Sequence, residues 1–385
     1  MASQLGLYRS YAALLLGALG PIYAGAHESV KMPKAARRKL RELRGGKGKT
    51  AAEDPEDEED DDEVERLTRE DAYWFPVLGS VVLFSLFLAF KFLPKIWINR
   101  VLGAYMALMA VAGLVRSGVR VVKALGGDRG RWAKWKLALT KNGCDEGHLS
   151  FTSLHLLVLP FAILLSGAQL YTGNWACSNV VALSFSFNAI SLLYIDSFAT
   201  GSVLLAGLFV YDIWWVFGSK AVFGSGADVM VSVATSFEAP IKLLVPKDLS
   251  WDKPAADFSL LGLGDIVLPG IFLALALRFD YFLALKRSSA PFHPQDGFQK
   301  PYFWTCFGAY IAGLVTTIFV MHTFRAAQPA LLYLSPDCIG SVVLCALVRG
   351  ETKELWRYVD GEEDEEKAVG DGKGEEKEDE GKKEK

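Results

Sequence analysis

Nine stretches of this chain are each predominantly apolar for about twenty residues, the length a helix needs to cross the hydrocarbon core of a bilayer. They centre on Leu15, Leu83, Leu108, Leu159, Phe187, Leu208, Phe272, Ile311 and Val342. No water is available in hydrocarbon, so each stretch must satisfy its backbone polar groups internally, and helices do this one segment at a time. The expected fold is therefore an all-α polytopic membrane protein with nine transmembrane helices. The first run, Leu5 to Ala26, also resembles the core of a removable signal peptide. A retained span is favoured, because Arg9 is the one charged side chain near its start and a basic stretch follows it.

That basic stretch, Lys31 to Arg44, lies on the cytosolic side by the positive-inside rule, which turns the N-terminus toward the lumen and, after nine crossings, the C-terminus toward the cytosol. The loop from Arg116 to Lys141 and the one holding Lys286, Arg287 and Lys300 agree with this register. Lys91, Lys95 and Arg100 flank a loop expected to be lumenal, and their long stems can snorkel. The spans form one membrane domain over residues 1–350, with a charged cytosolic loop at 31–70 and a lumenal loop at 219–258. Residues 351–385 read as a disordered cytosolic tail, as does the acidic run from Ala52 to Glu65, since neither can bury enough apolar surface to offset ordering.

The net charge of −3 says little about partners, because the charges are segregated into these polar blocks, and no nucleic-acid partner is indicated. The five cysteines (Cys144, Cys177, Cys306, Cys338 and Cys345) lack metal-ligand spacing or a disulfide framework. No cofactor or metal is expected.

Two acids interrupt the apolar pattern, Asp212 after Leu208-Phe209-Val210-Tyr211 and Asp265 after Gly262-Leu263-Gly264. An acidic residue at the centre of a membrane helix costs about 2.5–3.5 kcal/mol, so a functional role is the default reading. Taking Gly218 as the end of the sixth span and Ser259 as the start of the seventh, each Asp lies roughly 9 Å in from the same membrane face. The two carboxyls can thus meet at one depth. Two such groups in a poorly solvated place share one proton, the arrangement an aspartic protease uses. One carboxylate takes a proton from an attacking water while its protonated partner donates to the peptide carbonyl. Gly262 and Gly264 leave room for another backbone beside Asp265, and Tyr211 is placed to hydrogen-bond to the pair. Each also has a plainer role, as helix-packing glycine or interfacial tyrosine. A proton- or ion-conducting transporter would equally explain acids inside spans, and a helix-binding chaperone is a third class.

A third element, Gln328-Pro329-Ala330-Leu331-Leu332, opens the ninth span, where proline is also structurally cheap. Tyr211-Asp212, Gly262-Leu263-Gly264-Asp265 and Pro329-Ala330-Leu331 resemble, in order and in span, the three signatures of the signal peptide peptidase branch of the presenilin-related intramembrane aspartyl proteases. The likeness extends closely over most of Gly201 to Gly350, including Phe209 to Phe217 and Pro240-Ile241-Lys242-Leu243-Leu244. It implies that Asp212 and Asp265 are the catalytic acids, with Tyr211, Gly262, Leu263, Gly264, Pro329, Ala330 and Leu331 shaping the active site or binding substrate. It further implies an endopeptidase that cuts remnant signal peptides and other spans whose N-terminus faces the cytosol. Partners would then be transmembrane peptides and the bilayer, with self-association or quality-control proteins of the endoplasmic reticulum membrane left open. Lys382 and Lys383 resemble a dilysine retrieval signal for that membrane.

His155, His322, Asn188 and Asp196 are polar groups able to line a cavity, though helix-to-helix hydrogen bonding is the expectation for Asn188. The loop from Lys220 to Phe258, with its β-prone run Val229 to Val233, is expected to add a strand to an extended substrate.

Overall fold

A computed structural model describes residues 2–33, 36–37, 39–40, 65–126, 132–141, 144–218, 239–247, 258–288, 290–324 and 329–361. The acidic run at 52–64, Val229 to Val233, Arg325, Gln328, and Lys382 and Lys383 lie outside these residues.

Nine long helices occur among the described residues, one for each apolar run: α1 (Ala2–Ser29), α2 (Arg69–Phe92), α3 (Lys95–Gly126), α4 (Ser153–Thr172), α5 (Trp175–Leu192), α6 (Phe198–Ile213), α7 (Gly264–Arg287), α8 (Pro301–Phe324) and α9 (Leu331–Arg349). A short α10 (Thr352–Arg357) follows. Eight of them, α2 to α9, are long and apolar enough to span a membrane, α6 being counted together with the π-helical turn Trp214–Gly218 that continues it. The chain is an all-helical polytopic membrane protein with an N-terminal helix preceding those eight.

Three two-stranded ribbons were not anticipated. Strands β1 (Glu65–Leu67) and β4 (Leu193–Ile195) pair in parallel, while β2 (Lys134–Lys141) with β3 (Cys144–Thr152) and β5 (Lys242–Pro246) with β6 (Phe258–Gly262) pair antiparallel. All lie between apolar runs, where a connecting backbone gains by pairing with a neighbour. The ribbons shift one boundary: Ser259 belongs to β6, and α7 begins at Gly264. Alternating burial along β6, with Ser259 and Leu261 buried and Leu260 exposed, shows period-two geometry where a helix start was expected.

Two compact units result. The first comprises Met1–Gly17, Leu88–Asn188 and Val233–Leu263. Its helices α3 and α4 run antiparallel at close range, with Ser166 Oγ donating to the Ala107 carbonyl at 2.8 Å. Ala110, Leu114, Ala162 and Val181 form a shared apolar cluster. Asn188 bonds across helices as expected, donating through Nδ2 to the Gly113 carbonyl at 2.9 Å. His155 instead accepts at Nδ1 from the Thr152 N–H (3.2 Å), capping α4, and with Arg116 it lines a hollow of about 570 Å³.

The second unit comprises Ala18–Phe87, Ala189–Ser232 and Gly264–Lys385. Helix α7 is at its centre, buried nearly all round, and packs on α6, α8 and α9. A helix apolar on every face needs this enclosure. From α1, Ala18, Ile22 and Ala26 are fully buried at four-residue spacing, and Ile22 abuts Gly270 of α7. The second half of α1 is therefore integral to the packing, which favours a retained helix.

The fold also runs past residue 350. Asp360, buried, receives the Nε–H of Arg278 at 2.5 Å, and its own N–H donates to the Asp196 carbonyl at 2.6 Å. Residues 351–361 thus belong to the folded domain rather than to the tail, because a buried arginine in α7 needs a counter-ion.

Candidate active site

Asp212 occupies the last turn of α6, directly before the π-helical turn Trp214–Gly218. Such wider turns displace side chains from the regular helical register and recur at functional sites. Helix α2 fixes this end of α6. The Trp215 indole N–H donates to Ser80 Oγ at 3.1 Å, and a methyl group added at Gly207 would lie 2.8 Å from the Pro76 ring. Tyr211 falls on that same face, four residues from each, and its ring lies 3.6 Å from where a Gly79 side chain would begin. Its hydroxyl makes no hydrogen bond to either carboxyl among the described residues. Tyr211 packs on α2 at this face, and Asp212, the next residue, is buried.

Asp265 stands in the first turn of α7, one residue after the helix begins. Carboxylates are favoured there by the helix dipole and by unpaired N–H groups. Depth matching with Asp212 survives for a reason other than the expected one. Both acids sit at the same end of an antiparallel helix pair, Asp212 at a C-terminus and Asp265 at an N-terminus.

Gly262 ends β6, and the Leu263 N–H closes the ribbon on the Ile241 carbonyl at 3.0 Å. At Gly264, exposed, an added methyl group would meet only the Leu268 side chain, at 3.9 Å. Asp265 is partly exposed on the same turn. The flank of α7 at Gly264 is thus open.

Pro329 and Ala330 lead into α9, whose first residue is Leu331, and all three are buried. The opening N–H groups of a helix have no partner within it. Small residues ahead of Leu331 let the α9 terminus, with these opening N–H groups, approach α6 closely, and the two helices pack together.

Three further polar residues of α7, α8 and α9 were missed by sequence reasoning. Tyr310 of α8, fully buried, directs its hydroxyl to the backbone carbonyl of Asp265 at 3.3 Å. Asp280, a further acid within α7, accepts from the N–H groups of Tyr302 (3.2 Å) and Phe303 (2.8 Å) and so caps α8. Asp337 of α9 approaches within 2.7 Å of where a Gly313 side chain would begin. For Asp280 the signal was an acid inside an apolar run, whereas Tyr310 lay hidden in one.

A family model described as signal peptide peptidase matches residues 59–362. The mouse and human signal peptide peptidases are each 37% identical to this chain over 358 residues, covering 92% of it and 84% of their own lengths. A probable intramembrane protease of Schizosaccharomyces pombe is 35% identical over 303 residues, 79% of this chain and 87% of the yeast protein. The fold, the two acids at matching helix ends and these likenesses agree: the chain belongs to the signal peptide peptidase family of intramembrane aspartyl proteases.

Proposed function

We propose that Asp212 and Asp265 are the two catalytic acids, and that the protein cleaves remnant signal peptides and other single-span segments whose N-terminus faces the cytosol, within the endoplasmic reticulum membrane. The observation that carries this reading is that both acids sit at the same end of the packed α6–α7 pair, on which α9, opening at Leu331, also packs. Asp212, ionised, takes the proton of the attacking water. Asp265, protonated and on the open flank of Gly264, then donates to the scissile carbonyl oxygen. The roles reverse as the tetrahedral species collapses and the amine leaves. Pro329, Ala330 and Leu331 shape the site, while Gly262, Leu263 and Gly264 leave the peptide backbone space.

A helical substrate keeps its carbonyls in intrahelical bonds, so it must unwind before attack. The β5–β6 ribbon has an edge open to strand addition. At Leu244 the outer edge of β5 is taken by Asn179, which accepts from the Leu244 N–H (2.8 Å) and donates to its carbonyl (2.7 Å). Leu260, opposite it on β6, is exposed. An extended substrate would pair there by strand addition. Cross-linking from position 260 to a trapped substrate tests this, and absence of any adduct with efficient adducts elsewhere rejects it.

The charge pattern supports a lumenal N-terminus and a cytosolic C-terminus bearing Lys382 and Lys383 as a retrieval signal. Moving the protein to later compartments by Lys382→Ala with Lys383→Ala tests the location. For the activity, purified protein in detergent should cut a signal-peptide substrate. Ion flux through proteoliposomes without any cleavage would instead favour a transporter.

A further inference from the structure

Proline 269 lies five residues into α7 and has no N–H. In a regular helix that missing donor would have bonded the carbonyl four residues earlier, which is the carbonyl of Asp265. Helix α7 thus leaves a backbone acceptor unpaired at the residue proposed to perform catalysis. The phenol of Tyr310 occupies this vacancy, its hydroxyl 3.3 Å from the Asp265 carbonyl oxygen and its side chain fully buried. Adjacent Gly270 is itself pressed by Ile190 and Ile22, so α7 cannot shift to find another donor.

We infer that Tyr310 is a positioning residue for the protease reaction: by replacing the backbone donor that Pro269 lacks, it sets the first turn of α7 and with it the direction of the Asp265 carboxyl. The inference rests on Asp265 being one of the catalytic acids. A helical N–H in place of the phenol would tie Asp265 rigidly into α7. The proline and tyrosine together hold that turn from α8, a separate helix, so that packing between α7 and α8 is read out at the acid. The phenol makes no bond to water or substrate in this role and exchanges no proton. It works through the backbone alone.

The test measures cleavage of a signal-peptide substrate by purified full-length protein, with kcat and KM determined separately. Tyr310→Phe keeps the ring and removes only the hydroxyl, and should lower kcat by about 3- to 10-fold, the cost of one hydrogen bond, with KM unchanged. Pro269→Ala restores the helical N–H, so the double variant Pro269→Ala/Tyr310→Phe should recover most of the kcat that Tyr310→Phe loses on its own. Thermal melting of each variant separates this from unfolding, since a kcat loss that tracks melting temperature rather than the presence of a donor would overturn the inference. So would a Tyr310→Phe enzyme with normal kcat beside an inactive Asp265→Asn, or an equal loss with and without Pro269. Retained cleavage by Asp265→Asn would overturn the catalytic assignment on which the inference rests.

Discussion

Arg278 in the middle of α7 and Asp360 beyond the last span form a buried ion pair, Nε to Oδ2 at 2.5 Å, with both side chains almost fully buried. Arg278 also donates from Nη1 to Ser29 Oγ at 3.1 Å and lies 4.1 Å above the Tyr194 ring, while the Tyr358 hydroxyl donates to Asp360 at 3.3 Å. The end of α1, strand β4 and the C-terminal segment are thereby tied to the helix that carries Asp265.

Removing one partner of such a pair strands a charge in the interior. Asp360→Ala is expected to cost about 3–5 kcal/mol, whereas Arg278→Met with Asp360→Leu should recover much of that loss. Thermal unfolding in detergent measures both. A double variant no more stable than Asp360→Ala would show that packing, not the uncompensated charge, sets the cost.

Gly270 is needed for the approach of α5 and α1 to α7, since an added methyl group would lie 2.6 Å from Ile190 Cδ1. Gly270→Ala should destabilise by about 1–3 kcal/mol. Ile190→Val, which deletes the nearer of two clashing carbons and keeps Cγ1 at 2.9 Å, should be costly alone yet relieve Gly270→Ala in part, so the two effects will be non-additive.

Glu351, just past α9, answers to pH. Burial pushes its carboxyl up, but the Tyr302 hydroxyl (2.8 Å), Arg349 Nε (3.1 Å) and Arg287 more than offset this and hold it below the ordinary glutamate value. A depressed folded value means the stabilisation is present above the unfolded value, near 4.5, and is lost as pH falls through the folded one. Glu351→Gln should therefore lower the melting temperature by about 1–2 °C at pH 7 and lose that difference in acid.

The helices were legible because each span writes itself as an apolar run, and all nine centres from Leu15 to Val342 fall inside a helix. Asp212 and Asp265 stood out because a charge in hydrocarbon has few plain explanations, and Pro329 to Leu331 because they complete the resemblance that the two acids began. Less legible were features set by partners distant in sequence. The switch at Ser259 from helix to strand depends on Lys242 to Pro246. Tyr211 read as a partner of the acids, but Gly79 and Trp215 draw its ring to the packing face. Asp360 looked like tail because its counter-ion, Arg278, lies in a different apolar run.

Substrate choice should follow helix stability. A signal-peptide substrate with glycine or proline near the cut should turn over faster than the same peptide with leucines there, because less intrahelical bonding must be broken. Comparing kcat/KM for the two peptides checks this, and equal values would place unwinding outside the rate-determining steps.

The central claim is that Asp212 and Asp265 act as one catalytic pair. Its most direct measurement is single-turnover cleavage of a signal-peptide substrate by purified wild-type, Asp212→Asn and Asp265→Asn proteins that melt at similar temperatures. The account predicts cleavage by the wild type alone, with each single variant as inactive as the double, since neither acid can do the other's part unaided. Cleavage retained by either single variant would contradict it.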